Sequence, residues 1–237
     1  LKLAVAEVAE ATARVEARER AAAIRLLRRA CHCLRLITDQ LEMLEHMSPW
    51  EYHEVRKVLG HGSGFDSPGF RGVREVTPAL GRAFQAALAE AGLTVVELYQ
   101  RGREHEELYQ LAELLIEWDE RVTVWRFRHY KVITRVIGAN VVGTQGTPVE
   151  VLGRLIHQTF YPELWQARDR LTALSDEKAR ATLRADYELD ERGQAAGRDH
   201  GRHPPRGSLD PRRWHLHPRW CMSGGRADAG VRGRFRS

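Results

Sequence analysis

An all-α fold, a helical body followed by a basic tail, is what this sequence predicts, and three observations carry it. Apolar residues recur at three- and four-residue steps through long stretches rich in Ala, Leu, Arg and Glu. No segment alternates apolar and polar residues as a half-buried strand does, and no Asn-Gly hairpin turn occurs. After Leu189 the composition turns to Arg, Gly, Pro and His with few aliphatic side chains, too little apolar surface to offset chain entropy. The expected organisation is a helical domain over residues 1–188 and a disordered tail over 189–237.

Residues 2–46 predict one long amphipathic helix or two, with a stripe at Leu34, Ile37, Leu41 and Leu44. The pattern starts at Leu1 without a cap, so an amino-terminal piece is expected to precede it. Ser48-Pro49-Trp50-Glu51 places a capping serine, a proline at the first helical position and a glutamate three residues on, predicting a helix to about Leu59. Gly60, Gly62 and Gly64 interrupt it, residues 65–75 resume as a short helix or turn, and Thr77-Pro78 opens another helix through Leu88, ended by Gly92.

The longest periodic segment covers residues 104–137, with Leu108, Leu111, Leu115, Trp118, Val122, Trp125, Val132 and Val136 on one stripe. His129 lies four residues after Trp125 and seven before Val136, so it points inward with them. Residues 138–148 form a Gly- and Thr-rich connection. A helical segment over 149–174 follows, carrying Phe160-Tyr161-Pro162-Glu163-Leu164-Trp165.

Charge and cysteine usage exclude several classes. The formal charge is +5, but residues 191–237 hold 11 Arg or Lys against 4 Asp or Glu, leaving 26 against 28 in residues 1–190. The body is therefore slightly acidic, and a nucleic-acid partner is not expected, since only the tail could supply the phosphate contacts. No apolar run reaches the ~20 residues that span a bilayer, and no signal peptide is recognisable, which predicts a cytoplasmic protein without a membrane partner. Cys31, Cys33 and Cys221 are too few for a disulfide framework, and Cys31-His32-Cys33 on a helix diverge by about 100° per residue rather than converge on one ion.

The residues able to carry chemistry each have an ordinary structural alternative. An inward histidine beside Trp125, Phe127, Tyr130 and Val132 fits a hydrogen-bonded core residue, or the neutral imidazole that a haem iron takes as axial ligand. Arg126, Arg128 and Arg135 fit solvated helix-face charge, or partners for the haem propionates. The Gly- and Ser-rich loop from His61 leads to Arg71, which suits a carboxylate bidentately or a surface ion pair. Gly143-Thr144-Gln145-Gly146-Thr147 offers hydroxyls and amides to an amino-acid head group, or is simply a turn. It lacks the lysine and spacing of a phosphate-binding loop.

Together these stretches resemble the tryptophan 2,3-dioxygenase family. Four blocks carry the resemblance in order: Met47-Ser48-Pro49-Trp50-Glu51-Tyr52 within residues 34–60; Ser63-Gly64-Phe65-Asp66-Ser67 through Arg71; Trp125-Arg126-Phe127-Arg128-His129 through Gly138; and Phe160-Tyr161-Pro162-Glu163-Leu164-Trp165. The resemblance covers roughly residues 1–175. The resemblance implies a helical bundle of that type and haem b with His129 as its axial iron ligand. It implies a substrate carboxylate held by Arg71, a contact from Thr144 to the amino-acid backbone, and a homotetramer. The implied reaction inserts O2 across the indole C2–C3 bond of L-tryptophan or a related indole, giving N-formylkynurenine from tryptophan.

This sequence departs from the family at Asp66, at Ser67-Pro68-Gly69-Phe70, and in Gly143-Thr144-Gln145-Gly146-Thr147, which has one extra residue between His129 and the threonine. The family's distal-histidine segment, which precedes the first helix, is not among these residues. The competing expectations are an indole oxygenase of secondary metabolism and a truncated, non-catalytic family member.

Overall fold

A connection of only three residues folds the first two helices, α1 (Lys2–Glu16) and α2 (Arg20–Asp39), against one another in the computed structural model, which describes residues 1–59, 67–143, 146 and 148–197. The break falls at Arg18, whose backbone adopts the left-handed conformation at φ 63° while the amides of Ala17, Arg18 and Glu19 bond back to Ala13, Val15 and Arg14. Sequence periodicity alone did not mark this end, because no glycine occupies the left-handed position. Ala4, Val8, Ala11 and Val15 of α1 and Ala23, Ile24, Leu27, Ala30, Cys31 and Leu34 of α2 are buried, the spacing of two apolar stripes.

α3 (Leu41–Glu45) and α4 (Pro49–Leu59) follow. The cap expected before α4 is present in part, the Ser48 amide donating to the Glu51 carboxylate at 3.1 Å. The α2–α3 stripe holds at Leu34 and Leu41 but not at Leu44, which is 44% exposed.

α5 (Pro68–Glu90) is one helix where the sequence suggests two, since it continues through Pro78. Proline removes an amide at that point. The amide lost is the one that would reach the Arg74 carbonyl; on either side of Pro78 the Thr77 hydroxyl donates to the Val73 carbonyl at 2.6 Å and the Tyr161 hydroxyl to the Thr77 carbonyl at 3.0 Å. α6 (Val95–Gln100) opens on a capping box between Thr94 and Glu97. A 3-10 turn, Gly102–Glu104, leads into α7 (Glu106–Val136), which packs on α2, α3, α5 and α8 and is the central element of the core.

α8 (Glu150–Ile156) and α9 (Pro162–Gly197) complete the described chain. The single helix expected over 149–174 is broken at 157–161, where Asp119 of α7 binds the backbone of Phe160 and Tyr161. α9 continues to Gly197, past the expected boundary at Leu189. The chain resolves into two units, Leu1–Arg184 and Ala185–Ser237, and residues 198–237 of the expected tail lie outside the described residues. Among the described residues the regular structure is entirely helical apart from one isolated bridge between Val142 and Pro148, and no helix is long and apolar enough to cross a membrane.

Candidate functional site

His129 lies in the last third of α7, half-buried, with its imidazole stacked on the Trp125 indole one turn earlier. The ring centroids are 4.7 Å apart and the planes 17° from parallel. Residues four apart on a helix share a face, which is why the sequence spacing produces this stack. Burial pushes the imidazole pKa below its ordinary 6.5, so the ring is neutral at physiological pH and keeps a lone pair for a ligand.

Trp125 is itself buried, and its indole Nε1 has no partner among the described residues. Its other close aromatic neighbour is Phe70 in the first turn of α5, with centroids 4.1 Å apart. Arg71 is the next residue on that turn and is exposed. Two blocks far apart in the sequence thus meet through Phe70 and Trp125. Thr144 and the Ser63–Asp66 part of the loop lie outside the described residues.

The arginines around His129 divide by partner. Arg128 bonds Glu42 at 3.1 Å and Glu45 at 3.0 Å, and Arg135 reaches Glu45 at 3.4 Å, tying α7 to α3. Arg126 donates to the carbonyls of Leu155 at 3.0 Å and Gln158 at 2.7 Å, satisfying groups at the end of α8, and its guanidinium lies 4.9 Å from the Phe160 ring centroid. Burial pulls the Arg126 pKa down, and the nearby Asp119 charge opposes that shift. In these positions all three arginines tie α7 to neighbouring segments rather than standing as solvated helix-face charge.

Sequence reasoning missed Asp119, the most buried carboxylate described, at 1% exposure. Its Oδ2 accepts from the amides of Phe160 at 3.0 Å and Tyr161 at 3.3 Å and from the Trp165 indole at 3.0 Å. Tyr161 then fills the space above Gly81, where an added Cβ would stand 2.9 Å from the tyrosine Cε1. Trp118 beside Asp119 donates its indole N–H to the Thr77 hydroxyl at 2.9 Å. The block Phe160–Trp165 is therefore a clamp onto α5 and α7. Its signal was in the sequence: Asp119 is four residues after Leu115 and three before Val122, on the apolar stripe, and a carboxylate there needs donors from elsewhere.

No group of three or more His, Cys, Asp or Glu side chains capable of holding a metal ion occurs among the described residues. Cys31 is buried while His32 is exposed, as their angular separation requires. A protein-only metal centre is thus not formed among them. A haem iron has a lesser requirement, since the porphyrin supplies four nitrogens and the protein needs to add one neutral imidazole. His129 fits that requirement.

Compared with known proteins, the chain is 27% identical over 223 residues to the tryptophan 2,3-dioxygenase of Myxococcus xanthus, covering 73% of this chain and 76% of that protein. It is 26% identical over 224 residues to the enzyme of that name from Serratia proteamaculans, covering 73% and 80%. Against the one from Bacillus thuringiensis subsp. konkukian it is 28% identical over 200 residues, covering 63% and 71%. No family model matches the chain.

Proposed function

We propose that this chain, a distant homologue of the tryptophan 2,3-dioxygenases, is a haem-dependent dioxygenase of L-tryptophan or a related indole, with His129 as the axial ligand of the iron. The observation that carries this reading is the state of His129: half-buried, held neutral by burial and stacked on Trp125, inside the Trp125–His129 block that carries the family resemblance. A neutral imidazole has a nitrogen lone pair to give, which is what an axial ligand of haem iron requires.

Bound haem would supply the activation of O2, both atoms of which end in the product as the indole C2–C3 bond opens. The chain's own part is positional. Trp125 fixes the imidazole plane by stacking and, with Val132 and Val136 on the same stripe, excludes water around it. Arg71 binds the substrate carboxylate through its planar guanidinium, and Thr144 offers a hydroxyl to the amino-acid backbone. Holding the amino-acid end in this way sets the distance of the indole from the reacting oxygen, which is where most of a protein's contribution to such a reaction lies. The protein is read as a cytoplasmic homo-oligomer, tetrameric by the family resemblance.

The test is an absorption spectrum of the purified chain reconstituted with haem, oxidised and then reduced, beside His129→Ala. A Soret band that requires His129, followed by its response to L-tryptophan and a panel of substituted indoles under air, is the expected result. Identical spectra in wild type and variant would remove His129 as ligand. A His129-dependent spectrum without turnover of any indole would identify a non-catalytic haem-binding family member.

A further inference from the structure

The first turn of α5 is held in place from two sides. At Gly69 an added Cβ would lie 2.7 Å from the Leu1 Cβ, and at Gly72 it would lie 2.9 Å from the Val5 Cγ1, so α1 and α5 approach to a distance that only glycine allows. That packing leaves the turn no room to move toward α1. Between the two glycines, Phe70 faces α7 and lies against Trp125, its ring centroid 4.1 Å from the indole and its plane tilted by 37°. Trp125 is 8% exposed, and its other aromatic contact is the His129 imidazole at 4.7 Å.

From this continuous column we infer that Phe70 is a positioning residue for the His129 imidazole, acting through Trp125. The indole forms no hydrogen bond among the described residues that would fix its rotation, so the aromatic contacts on it set its plane, and its plane sets that of the imidazole. Arg71 follows Phe70 on the same turn. A carboxylate held by Arg71 and the imidazole held through Phe70 are therefore referred to one short backbone segment, clamped by Gly69 and Gly72. The inference rests on the proposed function in giving His129 a ligand role, but the stack exists without haem and is measured without it.

The experiment uses the full haem-free chain with 13C-labelled histidine rings, near pH 8, with the His129 signal assigned by its loss in His129→Gln. A ring stacked on an indole lies in the indole's ring current, so the wild-type His129 C–H signals are expected upfield of those of the other histidines. In Phe70→Leu they are expected to move toward the others or broaden, and in Phe70→Tyr to stay in place. The remaining histidine signals and far-ultraviolet circular dichroism report that each variant is folded. If Phe70→Leu does not fold, Phe70→Met makes the same comparison with side-chain bulk retained.

Haem titration follows on the same proteins. Loss of one aromatic contact predicts haem affinity about two- to tenfold weaker in Phe70→Leu and unchanged in Phe70→Tyr. A His129 signal in Phe70→Leu indistinguishable from wild type overturns the inference, whatever the haem result. If no protein takes up haem, the haem reading fails, while the histidine spectra still decide whether Phe70 positions His129.

Discussion

Removing the Asp119 carboxylate tests whether the Phe160–Trp165 block is a structural clamp. In Asp119→Ala three donors lose their acceptor: the Phe160 and Tyr161 amides and the Trp165 indole, now at 3.0, 3.3 and 3.0 Å from Oδ2. A buried donor left unsatisfied costs about 1–3 kcal/mol. Tyr161 is buried, whereas Phe160 and Trp165 are half-buried and can turn part of their loss over to water. The sum is about 3–5 kcal/mol, including the lost attraction to Arg126, a large share of the ~5–15 kcal/mol that holds a domain together.

Asp119→Asn keeps an acceptor oxygen of the same shape and relieves the burial of a charge whose Oδ1 has no partner among the described residues, so its expected cost is only about 1–2 kcal/mol. Urea unfolding followed by circular dichroism at pH 7 measures both. An Asp119→Ala protein within about 1 kcal/mol of wild type would refute the clamp, because three donors stripped of a charged acceptor cost more than that. Equal damage from Ala and Asn would show that the charge, not the acceptor, matters.

Two further outcomes follow from single residues. Burial pushes the Cys31 thiol from its ordinary 9.0 up to about 12, with the Glu117 charge adding to the shift. Its contribution is therefore complete below pH 9 and is lost as pH rises toward 12, by at most about 4 kcal/mol, and a flatter alkaline limb of the stability profile is expected for Cys31→Ala. Arg18 holds φ 63° at the end of α1, where glycine has no steric penalty, and its ion pair with Glu90 is exposed. Arg18→Gly is expected to stabilise by about 0.5–1 kcal/mol, seen as a higher melting temperature by calorimetry, and a lower one would show that the ion pair outweighs the backbone.

How much of this was legible in the sequence depended on whether a local rule was at work. The apolar stripe of α7 and the inward side of Trp125 and His129 follow from a 3.6-residue repeat, and the Ser48–Glu51 half-cap follows from spacing along one segment. The break at Arg18 and the continuity of α5 through Pro78 did not follow. At the first a non-glycine residue takes the left-handed conformation, and at the second a proline is carried inside a helix whose Thr77 carbonyl is also bonded by distant Tyr161. The Phe70–Trp125 contact was likewise invisible, because periodicity assigns a residue to a face of its own helix and says nothing of which helix meets that face.

The same distinction sorts the residues of the Trp125–His129 block. Arg126 is committed to the carbonyls of Leu155 in α8 and Gln158 beyond it and to the Phe160 ring, and Arg128 to Glu42 and Glu45. Each could be exchanged for scaffold of another chemistry only by rebuilding the element it holds. His129 differs, because its aromatic contact is with Trp125 of its own helix rather than with another element. A run of five residues that reads as one motif in sequence therefore separates, in three dimensions, into Arg126 and Arg128, which tie α7 to α8 and α3, Trp125, which packs on α5, and exposed Phe127, beside the half-buried His129. Substitutions at Arg126 and Arg128 should then lower stability together with any haem uptake, whereas one at His129 should lower haem uptake alone, a difference that unfolding and Soret titrations on the same three variants would expose.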